Sequence, residues 1–265
     1  MKKYLQTLKQ SFLNYFEYRG SILSSMLMGF LGLVFSYFIW RKIFLENETV
    51  GVYNLNSLIT YYLLARIFAG FFNERVTRHY EKWIKEGDLS NILLKPVNPN
   101  IYLFSKELGS RIFVTCLTMI IFLIPVILIR DLRLNIILNL SKLLWLLAFI
   151  VLSNIFLFLF YWSLGCLAFW MTTTAGLRNV TLNLLRILRG SFFPLDLAPV
   201  MLQKIFSFLP FQYALFYPLK LLTENKTLPE NLKGIYILLV FILTFYTLSL
   251  FLWRKGLKTY ESIGN

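Results

Sequence analysis

Apolar positions fall into six long blocks separated by short polar ones: Ile22–Leu45, Leu55–Phe72, Leu108–Ile129, Leu143–Met171, Leu177–Pro194 and Gly234–Trp253. Blocks of this length match the roughly 18–20 residues a helix needs to cross a hydrocarbon core. Each is predicted as a transmembrane helix, because an isolated strand would leave its backbone polar groups unpaired in lipid. The fifth block is the weakest, since Arg178, Asn183, Arg186 and Arg189 interrupt it. A span facing other helices or water tolerates such residues better than one facing lipid.

Two patterns flank these blocks. Over residues 1–20, Leu5, Leu8, Phe12, Tyr15 and Phe16 recur at helical spacing, while Lys2, Lys3, Lys9 and Glu17 fall largely elsewhere on the wheel. That predicts an amphipathic helix lying in the membrane interface; the alternative is an ordinary helix packed on a partner. Over residues 195–222, Pro199, Pro210 and Pro218, with Pro194 just before them, break a chain kept apolar by residues such as Met201, Phe206, Phe208 and Phe211. The segment is too broken for one span and too apolar for an open loop. It is predicted as short re-entrant or interfacial helices on the outer side.

Between the second and third blocks lies the one extended polar segment, 74–107, which holds five of the thirteen acidic residues and six of the twenty-seven Lys and Arg. Val76, Tyr80, Trp83 and Ile84 are spaced for a helix that Gly87 can end, with Asp88 or Ser90 starting another turn. Pro96 and Pro99 then fix the direction of the chain. A helix, a corner and the leucines of 89–94 make a shape that can dock in a cleft of another protein. The alternative is a solvated loop.

Composition agrees with the pattern: 57% of the 265 residues are hydrophobic and 15% charged, against about a quarter charged in soluble domains. The chain reads as an all-α polytopic membrane protein forming one domain over 1–265. Its net charge of +14 is assigned to residues that flank spans and meet anionic lipid, not to nucleic acid. With both termini cytoplasmic, seventeen Lys and Arg fall inside and nine outside, Arg66 lying within a span. The positive-inside rule favours that orientation. The N-terminus does not read as a cleavable signal, because no small-residue cleavage site follows the first apolar run.

Candidate chemistry is mostly absent. No phosphate-binding G-x-x-x-x-G-K-[ST] loop and no zinc motif occurs, and no serine or cysteine has a neighbouring base. Cys116 and Cys166 read as small apolar fillers, His79 as a surface residue, and the sequons at Asn47 and Asn225 as chance matches. All thirteen carboxylates, from Glu17 to Glu261, fall outside the predicted spans. An ion-coupled carrier usually needs an intramembrane acid, so energy is expected to enter from outside the membrane, through segment 74–107.

The run Glu86-Gly87-Asp88-Leu89-Ser90-Asn91-Ile92-Leu93-Leu94-Lys95-Pro96-Val97-Asn98-Pro99 resembles the "SGELSNYLLRPLNP" region of ABC-2 family permeases of ATP-binding-cassette transporters. Four more stretches are similar to that family in the same order: 60–65, 164–170, Gly190–Leu195 with Leu209-Pro210-Phe211, and 253–260. The resemblance is closest to the multidrug-type branch and covers essentially the whole chain. It implies a six-helix, non-enzymatic permease subunit of a bacterial cell-membrane exporter. It implies pairing with a second copy or a related permease, and a separate ATPase that carries ATP and Mg, with no cofactor on this chain. Glu81, Trp83, Glu86, Gly87, Asp88, Leu89, Leu94 and Pro96 then take the coupling role, and residues 1–20 that of the interfacial helix. Pro194, Pro210 and Phe211 belong to the outer re-entrant segment. The substrate path is expected along the second and fifth spans, with Thr181, Asn183 and Phe193 on its wall, suited to an amphipathic or apolar substrate.

Arg66 departs from the family pattern and is read as snorkelling to the cytoplasmic end, with substrate binding as the alternative. An importer permease is disfavoured by the lack of its E-A-A…G…I-x-L-P loop. A non-transporting anchor or assembly factor for an ATPase complex is the main rival.

Overall fold

The structure is a computed structural model, and it describes residues 2–14, 19–46, 48–72, 74–128, 136, 139–224 and 227–260. Tyr15, Phe16, Glu17, Asn47, Asp131, Asn225 and Glu261, which entered the expectations above, lie outside the described residues. Among the described residues the chain is helical, with one isolated bridge between Val50 and Tyr53 as its only extended pairing.

The helices are α1 (Lys2–Asn14), α2 (Arg19–Glu46), α3 (Leu55–Ala69), α4 (Val76–Lys85), α5 (Asp88–Leu93), α6 (Pro99–Leu128), α7 (Leu140–Cys166), α8 (Ala175–Leu188), α9 (Val200–Phe208), α10 (Phe216–Thr223) and α11 (Leu228–Thr259). Short 3-10 turns cover Leu167–Phe169, Leu195–Leu197 and Pro210–Ala214. Among the described residues, three stretches are long and apolar enough to cross a membrane: Met26–Glu46, Leu140–Phe169 and Leu228–Thr259.

Local chemistry sets the starts of the helices. Asn54 and Ser57 cap α3 reciprocally, and Thr227 and Glu230 do the same for α11. Asn139 caps α7 by accepting from the Lys142 backbone N–H. Asn98 accepts from the backbone of Asn100 and Ile101, and Pro99 takes the first helical position, where a missing N–H costs nothing. This cap starts α6 nine residues before the predicted third span. Glu107, expected in a polar loop, therefore lies inside a long helix and is buried.

The predicted second and fifth spans are shortened too. α3 has 15 residues and α8 has 14, about 22 and 21 Å at 1.5 Å per residue. Both fall short of a 30 Å core. The predicted helix over 177–194 stops at Leu188, and Gly190 follows in the left-handed region at φ 78°.

α3 forms the centre, with Leu58 and Leu63 wholly buried. α7 and α11 pack along each other, tied by the Ser249 hydroxyl donating to the Leu159 carbonyl and by a ring cluster of Phe156, Phe160 and Phe245. Phe211 closes the cluster from the broken segment. α2, α9 and α11 turn large apolar side chains outward, among them Phe35, Met201 and Leu243. In water such faces would be anomalous; they suit lipid or another subunit.

α1 lies on α6. Gly109 allows the close approach, since a Cβ there would stand 2.2 Å from the Leu8 carbonyl oxygen. Phe12 meets Phe113 edge to face, Lys3 donates to the Pro96 carbonyl, and the Tyr4 hydroxyl accepts from the Asn98 N–H. Leu5 and Leu13 stay exposed. α1 is thus packed on the rest of the chain and still presents apolar side chains outward.

Candidate coupling site

α4 is amphipathic, and its apolar side is seated on α7. Tyr80 is fully buried between Trp162 and Trp253, and its hydroxyl donates to Asn100 at 2.7 Å. The Thr77 hydroxyl donates to the Tyr161 carbonyl at 3.0 Å. His79 is only partly exposed, because its Nε2 lies 2.7 Å from the buried Glu107 carboxylate. It is a packed partner of α6 rather than the simple surface residue expected.

The corner after α4 is Gly87 at φ 79°, a left-handed conformation that strains any side chain. The Tyr260 hydroxyl at the end of α11 lies 3.3 Å from both the Gly87 carbonyl and the Ser90 hydroxyl. The far end of the chain is therefore seated on the corner. Sequence spacing offers no signal for a contact across 173 positions.

The residues expected to face a partner divide into two groups. Trp83 and Leu89 are buried and hold α4 and α5 against the bundle, which corrects the expectation that Leu89 is exposed. Asp88 is half-buried at the start of α5. Glu86 is exposed and pairs with Lys82 at 3.5 Å. Leu94, at 84% exposure, and Pro96 also face outward. The reason is geometric: on a six-residue helix only one face can reach solvent, and Leu89 and Ile92 occupy the other.

Glu81 is turned inward. Its carboxylate pairs with Arg178 and accepts the backbone N–H of Thr174, at the start of α8. Glu74, just before α4, pairs with Arg189 at 2.8 Å and with Arg186 at 3.2 Å, at the end of α8. The earlier acid meets the later arginines and the later acid the earlier one. α4 and α8 are thus joined by two antiparallel ionic rungs.

Burial alone would raise the Glu74 carboxyl, but Arg189 and Arg186 outweigh it and hold it below the ordinary carboxylate range. For Glu81, too, burial raises, but the Thr174 hydrogen bonds, Arg178 and Lys85 outweigh it and hold the carboxyl below the ordinary range. Each of the arginines that interrupted the predicted fifth span meets one of these acids. The signal lay in the sequence as a spacing, Glu74 to Glu81 against Arg178 to Arg186 and Arg189.

The substrate-path candidates lie in different surroundings. Thr181 is half-buried and Asn183 exposed, the latter 3.4 Å from Arg186. Phe193 packs instead on a separate cluster of Leu195, Ala198 and Phe206. Pro194 and Pro210 are buried, and Phe211 is half-buried against the α7 rings. A polar cluster holds this segment: buried Lys220 pairs with Asp196 at 2.6 Å and with Glu224, and Tyr53 donates to Asp196. No group of three or more potential metal-ligating side chains occurs among the described residues.

Long apolar helices with apolar side chains turned outward define the class of a helical membrane protein. The family comparison is specific: the model of the family described as "ABC-2 family transporter protein" matches residues 30–264, and the chain belongs to that family. It is therefore an integral membrane protein of an ATP-binding-cassette transporter, in a family whose membrane component is normally non-catalytic and whose ATPase is a separate subunit. Comparisons with curated proteins and with solved structures each give no match.

Proposed function

We propose that the chain is the permease subunit of an exporter, moving an amphipathic or apolar substrate out of the cell by alternating access. A separate ATPase binds and hydrolyses ATP with Mg, and a second permease copy or a related permease completes the pathway. In this reading six crossings place both ends in the bacterial cytoplasm. α1 lies at the inner interface, and the pieces from the Leu195–Leu197 turn to α10 fold back from the outer side.

The observation that carries the proposal is the pair of ionic rungs from Glu74 and Glu81 to α8. The ATPase seats on the exposed part of the corner, at Glu86, Leu94 and Pro96. Its movement passes through Gly87 into α4, and the rungs draw α8 with it. A ligand shifts a conformational equilibrium only by its differential affinity for the two states, so the ATPase must grip the corner differently with and without ATP. Glu81, expected at the partner surface, acts in this scheme as an internal link.

The test uses the chain in nanodiscs with its partner ATPase. Gly87→Pro and Glu81→Ala are expected to leave the complex assembled and to lower ATP-driven transport at least tenfold. Unchanged transport in both variants would remove the assigned role. Co-purification of the ATPase without any transport would favour the anchor.

A further inference from the structure

A cavity of about 350 Å³ opens between α3, α6 and α8, and four arginines line it: Arg66, Arg111, Arg186 and Arg189. Glu74 is the carboxylate on its wall, and both its oxygens are already taken, by Arg189 and by Arg186. Arg189 is 97% buried, with its guanidinium over the Phe72 ring at 5.7 Å. Arg66 stands against α2, 3.1 Å from where a Cβ on Gly32 would sit, and among the described residues it has no carboxylate partner.

A structural role explains only part of this. Holding Glu74 requires two guanidiniums at most. Arg111 has Glu107 one turn away on the same helix, although that carboxylate also meets His79. With Arg111 and Glu107 left aside, Arg66, Arg186 and Arg189 face one carboxylate, Glu74, among the described residues. Two excess positive charges in a partly desolvated cleft are costly unless an anion joins them. Guanidiniums present planar forks that match phosphate oxygens in pairs. The cavity also has an apolar edge. Phe192 on its wall is exposed, and Leu184 and Ile187 are exposed on the helix that carries Arg186.

We propose that this cleft binds the phosphate group of an amphipathic substrate, whose apolar part lies along α8. The proposal rests on the permease reading and narrows its substrate to an anionic amphiphile. The same rungs that link α8 to the coupling segment would then bear on the bound headgroup. Arg66, unexplained by the family pattern, becomes one of its ligands.

The binding test needs the full chain alone, in nanodiscs of zwitterionic phosphatidylcholine, with a fluorescent short-chain phosphatidic acid as probe. Saturable binding is expected, weakened roughly tenfold or more by Arg66→Gln and further by Arg66→Gln with Arg186→Gln. Arg66→Lys should recover part of the loss, and Lys204→Gln on exposed α9 should bind as the parent does. Matched thermal unfolding of the variants guards against misfolding. A probe affinity indifferent to both arginines overturns the proposal, as does equal binding of a phosphatidylcholine analogue. Displacement by inorganic phosphate at the probe's own concentration overturns the amphiphile and assigns the cleft to free phosphate. Because no ATPase is present, failure here with ATP-driven transport intact sinks the cleft and leaves the permease reading standing. Binding without any transport does the reverse.

Discussion

Gly87 at φ 79° is the residue whose chemistry is least replaceable in the corner. Alanine there costs about 1–2 kcal/mol for the left-handed conformation, and proline, fixed near −65°, cannot adopt it at all. Thermal unfolding in nanodiscs should show a modest loss for Gly87→Ala and a larger one for Gly87→Pro. The rung from Glu81 to Arg178 allows a reciprocal check: Glu81→Arg alone and Arg178→Glu alone should each uncouple ATP hydrolysis from transport. The double exchange should restore part of the coupling, and a double variant worse than both singles would refute the pairing. The carboxyls of Glu74 and Glu81 sit below their ordinary values, so their contribution has a definite sign with pH. It is fully present above the unfolded value of about 4.3 and is lost as pH falls through the lower folded one. The unfolding midpoint should be insensitive to these groups from about pH 8 to 5 and fall below about 4. Glu74→Gln with Glu81→Gln should flatten that fall.

At the scale of elements, the sequence made the corner legible because each of its signals is local. Helical spacing ends at a glycine, and an aspartate opens the next turn. What stayed hidden was which side of each short helix turns inward. Leu89 and Leu94 look alike in sequence, yet one is wholly buried and the other 84% exposed. Only packing on the long helices decides between them. The Asn98–Pro99 start of α6 was legible as a stop in direction but not as the cap that carries Glu107 into a helix. The arginines of α8 read as interruptions because their acids sit about a hundred positions away. α1 gives the prediction for this scale. A side chain at position 109 would collide with the Leu8 carbonyl, so Gly109→Val should lift α1 from α6. Cysteines replacing Phe12 and Phe113, whose rings are 5.3 Å apart, should cross-link in the parent and not in that variant.

At the scale of the molecule, apolar block length located the long helices among the described residues, and it overestimated α3 and α8. Hydrophobicity reports what is buried from water and does not distinguish burial in lipid from burial in protein. α3 is buried from Leu58 to Ala65 because other helices surround it. The proposed orientation can be checked with single cysteines at positions 94 and 201 in a Cys116→Ser, Cys166→Ser background. An impermeant maleimide should label Met201→Cys in intact cells and Leu94→Cys only after the membrane is opened; the opposite pattern would reverse the topology. The seat of Leu8 on Gly109 carries a consequence for biosynthesis. The two residues are 101 positions apart, so at about 5–20 residues per second α1 waits roughly 5–20 s for its site to be made. An amphipathic surface able to rest on the bilayer would shelter it during that interval. Tyr260 lies 173 positions after Gly87, so the corner proposed for docking is completed only once α11 has been made.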